Sequence, residues 1–141
     1  MGLLDGNIER QYFVFTLGSR YFGLSISHVI KVISVETLFP APLLKEYYLG
    51  FFVHQDIPVP LLSIKKRLGL GGEDLGGMSV LINIGSETIG LSIDGNYKVI
   101  ELDDDLEPLP EKFTGAVRKY FIGRGTMNDK NFIILNVESL M

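Results

Sequence analysis

The chain has no cysteine among its 141 residues, which excludes a disulfide framework and any thiolate metal site and suits a reducing compartment. It also lacks an apolar run near the ~20 residues that a bilayer-spanning helix needs. The opening MGLLDGNIER has neither the basic start nor the long apolar core of a signal peptide. Gly6 stands where a myristoylation signal needs Ser or Thr. Basic charge is scarce: 13 Lys and Arg against 17 Asp and Glu give a net charge of −4 and a pI of about 5.1. Nucleic acid and direct insertion into an anionic membrane are therefore poor expectations, because neither has its basic footprint. The reading is a soluble, cytoplasmic protein.

Catalytic signatures are missing too. The two histidines, His28 and His54, have no cysteine partner and no HExxH spacing, so a zinc centre is not expected. Asp103, Asp104 and Asp105 are contiguous, whereas calcium loops alternate their carboxylates around a glycine turn, so this run reads as a solvated acidic loop. The segment GLGGEDLGG (residues 69–77) lacks the Lys-Ser/Thr of a phosphate loop and reads as a linker. There is no GxSxG elbow. Asp94, at the end of a GLSID stretch, is the best single carboxylate, and a turn-forming role accounts for it. No enzyme activity, metal or cofactor is expected.

What the chain does have is a repeat. Residues 17–33 read LGSRYFGLSISHVIKVI and residues 84–100 read IGSETIGLSIDGNYKVI; an offset of 67 aligns them without a gap, nine of seventeen positions being identical. A weaker echo lays GFFVHQDIPVPLLSI (50–64) over GRGTMNDKNFIILNV (123–137), so the order is A, B, A, B, two copies of a half-sized unit.

Period-two alternation predicts strands. Phe13, Phe15 and Leu17 share one face of the first strand, and Phe22, Leu24 and Ile26 one face of the return strand. Gly18-Ser19 and Gly85-Ser86 are turn pairs whose glycine supplies the positive φ of a type II′ hairpin. The next stretch, SHVIKVI, fits either a helical turn capped by Ser27 or a strand of β-branched residues. Residues 43–48 suggest one helical turn after the Pro40-Ala-Pro42 loop. A second hairpin over residues 50–64 turns near His54 to Ile57; its Pro58 and Pro60 predict an edge strand or a bulge. Residues 65–77 read as a short helical turn and a glycine-rich join. Residues 101–110 are a surface connection, and the last hairpin, from about residue 120 to 137, turns at Asn128-Asp129-Lys130. Short strands with glycine-rich turns favour small closed barrels.

With those motifs in place, residues 11–141 resemble the CheW family, adaptors that join chemoreceptors to the histidine kinase CheA. The family's opening hairpin corresponds to Phe15-Thr-Leu-Gly-Ser-Arg-Tyr-Phe-Gly-Leu-Ser-Ile26. Its V-x-x-V/I and P-x-P-like loop correspond to Val29-Ile-Lys-Val32 and Pro40-Ala-Pro42. Gly50, Pro60, the Lys66-Arg67-Leu68-Gly69-Leu70 close and Gly90-Leu-Ser-Ile-Asp94 follow in order. The resemblance implies an all-β fold of two five-stranded SH3-like barrels sharing a core, with short helical turns, after a flexible leader at residues 1–10. Either barrel is free to borrow strands from the other half, so residues 11–141 are treated as one domain. It also implies a non-enzymatic scaffold in bacterial chemotaxis signal transduction, with a CheA-type histidine kinase and a chemoreceptor cytoplasmic tip as partners.

Three positions depart from the family: Lys31 replaces the Glu of V-x-E-V, Val53-His54-Gln55-Asp56 replaces N-L-R-G, and Asn136 replaces an Asp after the final strand. Reversed or lost charges alter partner choice and association rate more than fold, so another assembly, such as a pilus or gliding pathway, is the alternative. The resemblance places partner contacts at Lys31, Gln55 and Asp56, with surface drift as the plainer reading. Val29, Val32, Leu91, Ile93 and Val99 are expected to line a groove between the barrels, or else to be plain core. Gly50 and Gly90 are expected to serve backbone geometry.

Overall fold

The computed structural model describes residues 10–113 and 115–141. The expected flexible leader falls on residues 1–9, outside the described residues, except for Arg10. Arg10 is tied down, pairing with the Asp105 carboxylate at 3.0 Å and donating to the Asp103 carbonyl.

The described residues form ten strands: β1 Gln11–Leu17, β2 Arg20–Ser25, β3 Val29–Ser34, β4 Tyr48–His54, β5 Ile57–Ser63, β6 Met78–Ile84, β7 Glu87–Ser92, β8 Tyr97–Glu101, β9 Phe121–Met127 and β10 Lys130–Leu135. Two short helices join them, α1 Ile64–Leu68 and α2 Gly115–Arg118; nothing in the sequence pattern announces α2. The strands make two five-stranded sheets, ordered β8-β1-β2-β10-β9 and β3-β6-β7-β5-β4. These are the all-β, SH3-like barrels that the resemblance implied. The described chain divides into two compact units, one running up to Val29 and resuming at Gly95–Leu140, the other Ile30–Asp94.

Each sheet takes its first hairpin from one copy of the repeat and its second hairpin from the other. β2 pairs in parallel with β10, Phe22 opposite Ile133 and Gly23 opposite Ile134. In the second sheet β7 pairs in parallel with β5, Gly90 opposite Leu61. Glycine leaves room for neighbouring side chains at both crossings. A Cβ on Gly23 would sit 2.6 Å from Ile134 Cδ1, and one on Gly90 would sit 2.5 Å from Ser79 Oγ.

The copies match in detail. The turns at Gly18 (φ 63°) and Gly85 (φ 61°) take positive φ at the first central residue, as a type II′ hairpin requires. The second hairpins both turn through two left-handed residues, Gln55 (51°) and Asp56 (64°), Asn128 (51°) and Asp129 (64°). Both also carry a bulge at the same place, between Tyr48 and Gly50 on β4 and, opposite the Ile134/Leu135 shift, at Ile122 on β9.

In the first unit, one buried cluster joins Tyr12, Val14, Ile100, Leu102, Phe132 and Ile134. Phe13 and Phe15 lie on the opposite face of β1, and rings run on in contact from Tyr97 through Phe13, Phe15, Phe22 and Phe121 to Phe113, with centroids 5.4–6.4 Å apart. Such pairs contribute about 0.5–1.5 kcal/mol each beyond area burial. The second unit's cluster is Phe52, Val59, Leu61 and Leu81, flanked by Ile33, Val35, Leu38 and Leu49.

Three expectations need correction. Residues 43–48 fall in two reverse turns, over 41–44 and 45–48, closed by Leu44 N donating to Ala41 O (3.0 Å) and Tyr48 N to Lys45 O (2.9 Å), not a helical turn. The ambiguous SHVIKVI stretch resolves into both structures, a 3-10 turn over Ile26–His28 and then β3, and it is Ser25, not Ser27, whose hydroxyl caps the turn. β5 is not an edge strand; it lies between β7 and β4, and the bulge is on β4. Its prolines are accommodated because Pro60 faces Phe51, whose N–H and C=O both turn outward to Phe39 (2.9 and 2.8 Å), and because pairing with β7 begins only at Leu61.

Residues 69–77 join the repeats as expected, and the join is pinned. Asp74 accepts hydrogen bonds from the hydroxyls of Ser63 and Ser92, both 2.6 Å, and from Gly76 N at 3.1 Å. Lys65 reinforces it, donating to Glu73 O at 3.1 Å and pairing with Asp94 at 3.3 Å.

Candidate functional site

The expected contact residues are placed as follows. On β3, an end strand of its sheet, Lys31 is exposed, Val29 and Val32 are half-buried, and Ile30 is 45% exposed. At the β4–β5 tip, Gln55 and Asp56 are the two exposed central residues of the turn. On β8, Val99 is 54% exposed opposite Phe13 of β1. Leu91 and Ile93 are different: they are 0% and 5% exposed. Leu91 is held between Val80 of β6 and Leu62 of β5, so both side chains are core and offer no surface to a partner.

The second unit therefore carries two accessible features, the β3 edge with Lys31 and the β4–β5 tip. An end strand leaves one row of backbone groups unpaired, a natural edge for association. The tip has more apolar surface than its polar turn suggests. Val53 and Ile57, flanking Gln55-Asp56, are 54% and 62% exposed, and nearby Phe39, 42% exposed, stacks on Phe51 at 5.3 Å. These residues were not singled out from the sequence. The available signal was that FFVHQDIPVP is apolar at both parities, which leaves Val53 outside the core once Phe52 is inside; Ile57 shares the face of buried Val59 and is exposed because it begins β5 at the tip.

Gly50 holds this region's backbone. Its φ of 145° is one that side-chain-bearing residues rarely adopt, and a Cβ there would lie 2.2 Å from the Phe39 carbonyl oxygen. The glycine thus permits the Phe39–Phe51 bridge that seats residues 35–39 beside β4. At the other end of β4, the Tyr48 phenol titrates above its usual range, raised first by burial and then by Tyr47 and Glu87 against a lowering by Arg67.

Among the described residues, no group of three or more His, Cys, Asp or Glu side chains converges as a metal site would need. No described helix is long and apolar enough to cross a membrane. The observed assets are an exposed end strand and exposed apolar residues, features that β-proteins use for association.

A family model described as the CheW-like domain matches residues 11–141, and the chain belongs to that family. Among curated relatives, the chemotaxis protein CheW of Klebsiella aerogenes is 20% identical over 142 residues, spanning 99% of this chain and 86% of the relative. The chemotaxis protein CheW of Helicobacter pylori is 23% identical, spanning 97% and 84%. CheV3 of the same organism is 23% identical over 85% of this chain, which corresponds to 40% of that longer protein. Among solved structures, the scaffolding protein TtCheW of Thermoanaerobacter tengcongensis superposes with a TM-score of 0.82 at 25% identity, covering 94% of this chain and 92% of the other.

Proposed function

We propose that this chain is a cytoplasmic, non-enzymatic chemotaxis adaptor that couples the cytoplasmic tip of a chemoreceptor to a CheA-type histidine kinase by protein–protein contacts. The CheW-like match over residues 11–141 carries the reading; relatives named as chemotaxis and scaffolding proteins support it. The contacts are assigned to Val29, Lys31 and Val32 on β3, Gln55 and Asp56 at the hairpin tip, and Val99 on β8. An adaptor of this kind does no chemistry. It acts through the difference in its affinity for the two activity states of its partner, which is a coupling free energy.

Lys31 and Gln55 set which receptor or kinase is accepted. An exposed charge acts on association rate and on rejection of wrong partners more than on the lifetime of the right complex. The test is co-sedimentation of the purified chain with a receptor cytoplasmic fragment and a CheA-type kinase from the same organism. Saturable recovery of both is expected. Lys31→Glu with Gln55→Arg should shift partner preference by about tenfold at low salt and less at high salt. Recovery of neither partner by a folded chain would overturn the assignment in favour of a CheW-like module serving another assembly, such as a pilus or gliding pathway.

A further inference from the structure

The buried cluster of the first unit borders a surface depression at Val14, Ile100 and Phe132, the mouth of its barrel. Alternation along β8 puts Lys98 on the same face as buried Ile100, and Lys98 lies opposite Val14 of β1. Val14, Ile100 and Phe132, each under 8% exposed, line a depression of about 140 Å³, with Tyr21 as a wall and Lys98 and Lys130 at its rim. A second depression, of about 180 Å³, adjoins it, sharing Val14, Tyr21 and Lys98.

Three features define what fits. The first is size: an apolar cavity of about 150 Å³ accepts a benzene ring. The second is charge. The side chains lining the two depressions include two lysines and no acid, in a chain whose net charge is −4. Asp129, next to Lys130 in the exposed turn, is not among them. The third is preorganised donors. Lys130 Nζ donates to the Tyr21 hydroxyl oxygen at 3.0 Å and lies 5.1 Å from the ring centre, which holds the ammonium at the mouth and leaves the phenol hydrogen to donate.

We propose that this barrel mouth binds a small hydrophobic carboxylate, its ring or branched chain on Val14, Ile100 and Phe132 and its anionic end between Lys98, Lys130 and the Tyr21 hydroxyl. Charge-assisted hydrogen bonds are roughly twice as strong as neutral ones, so the site discriminates between an acid and its amide. The site is built entirely from the first unit and uses none of the residues assigned above to protein partners.

The experiment is an NMR titration of the full chain with phenylacetate and, separately, with neutral phenylacetamide, following the Met127 methyl, which borders the depression, and the backbone amides. Saturable shifts at Met127, Tyr21 and Lys130 are expected with phenylacetate, and affinity for the amide should be at least about tenfold weaker. Lys98→Gln with Lys130→Gln, both at exposed positions, should remove the preference for phenylacetate over the amide while leaving the fold's spectrum unchanged. Equal affinity for the two probes, shifts located elsewhere, no saturable response, or a double variant that still prefers the acid would each overturn the proposal.

Discussion

Asp74 gives the sharpest test of how the second unit is held. Its two carboxylate oxygens accept from Ser63 and Ser92 at 2.6 Å, and those serines are 0% and 3% exposed and lie side by side where β5 pairs with β7. Replacing Asp74 by Ala removes two short charge-assisted hydrogen bonds and the bond from Gly76 N, and leaves two buried hydroxyl hydrogens without this acceptor. A buried donor stranded in this way costs about 1–3 kcal/mol, and Asp74 itself is half-buried, so water recovers part of the loss. The lower half of that range for each serine gives about 3 kcal/mol in all, or a fall in Tm of roughly 9 °C for a chain of this length. Asp74→Asn, which keeps one acceptor oxygen, should cost about 1 kcal/mol. Urea unfolding read at matched m-values measures both. The decisive form is a cycle with Ser63→Ala and Ser92→Ala. Without the two hydroxyls, Asp74→Ala should cost much less than it does in the parent chain. A cost below about 0.5 kcal/mol in the parent, or simple additivity in the cycle, would show that the carboxylate is a surface ornament of a loose linker.

Two further outcomes are expected. Asp56 holds a left-handed backbone, φ 64°, at the second central position of its turn; Asp56→Gly should stabilise the chain by about 0.5–1 kcal/mol, seen as a higher urea midpoint at unchanged m. The phenols of Tyr12 and Tyr48 both titrate above their ordinary 10.0, in each case raised first by burial. A folded-state pKa above the unfolded one keeps its stability below the unfolded value and loses it as pH rises through the folded value. Thermal stability should therefore be insensitive to these groups below pH 10 and fall above it, and Tyr12→Phe with Tyr48→Phe should flatten the alkaline limb measured by calorimetry.

Much of the local architecture was legible in residue order. The glycine of each Gly-Ser pair dictated where β1 and β6 reverse, since no other residue accepts that φ cheaply. Period-two apolar positions at Phe13, Phe15 and Leu17 marked a strand face that is indeed buried. Of the candidate site, Lys31, Gln55, Asp56 and Val99 are exposed as a contact residue must be, while Leu91 and Ile93 are not. An apolar residue on a strand has the same appearance in sequence whether its face meets a partner or the core. The role of Asp74 was hidden for a similar reason. A carboxylate in a glycine-rich run looks like a solvated linker until Ser63 and Ser92, eleven residues before it and eighteen after it, are brought to its two oxygens.

Residue order alone carries the two similar halves, the places where their hairpins turn, and the family they belong to, because turn chemistry and alternation are local properties of the chain. Tertiary structure alone decided which hairpin joins which. Both copies present the same alternation, so β2 has equivalent apolar patterns to choose from in β5 and β10, and pairing is a non-local contest of packing. The outcome places Gly23 opposite Ile134 on one sheet and Gly90 opposite Leu61 on the other. At those two points the missing side chain leaves room for side chains of the opposite copy, Ile134 and Phe132 beside Gly23, Phe52 and Leu61 beside Gly90.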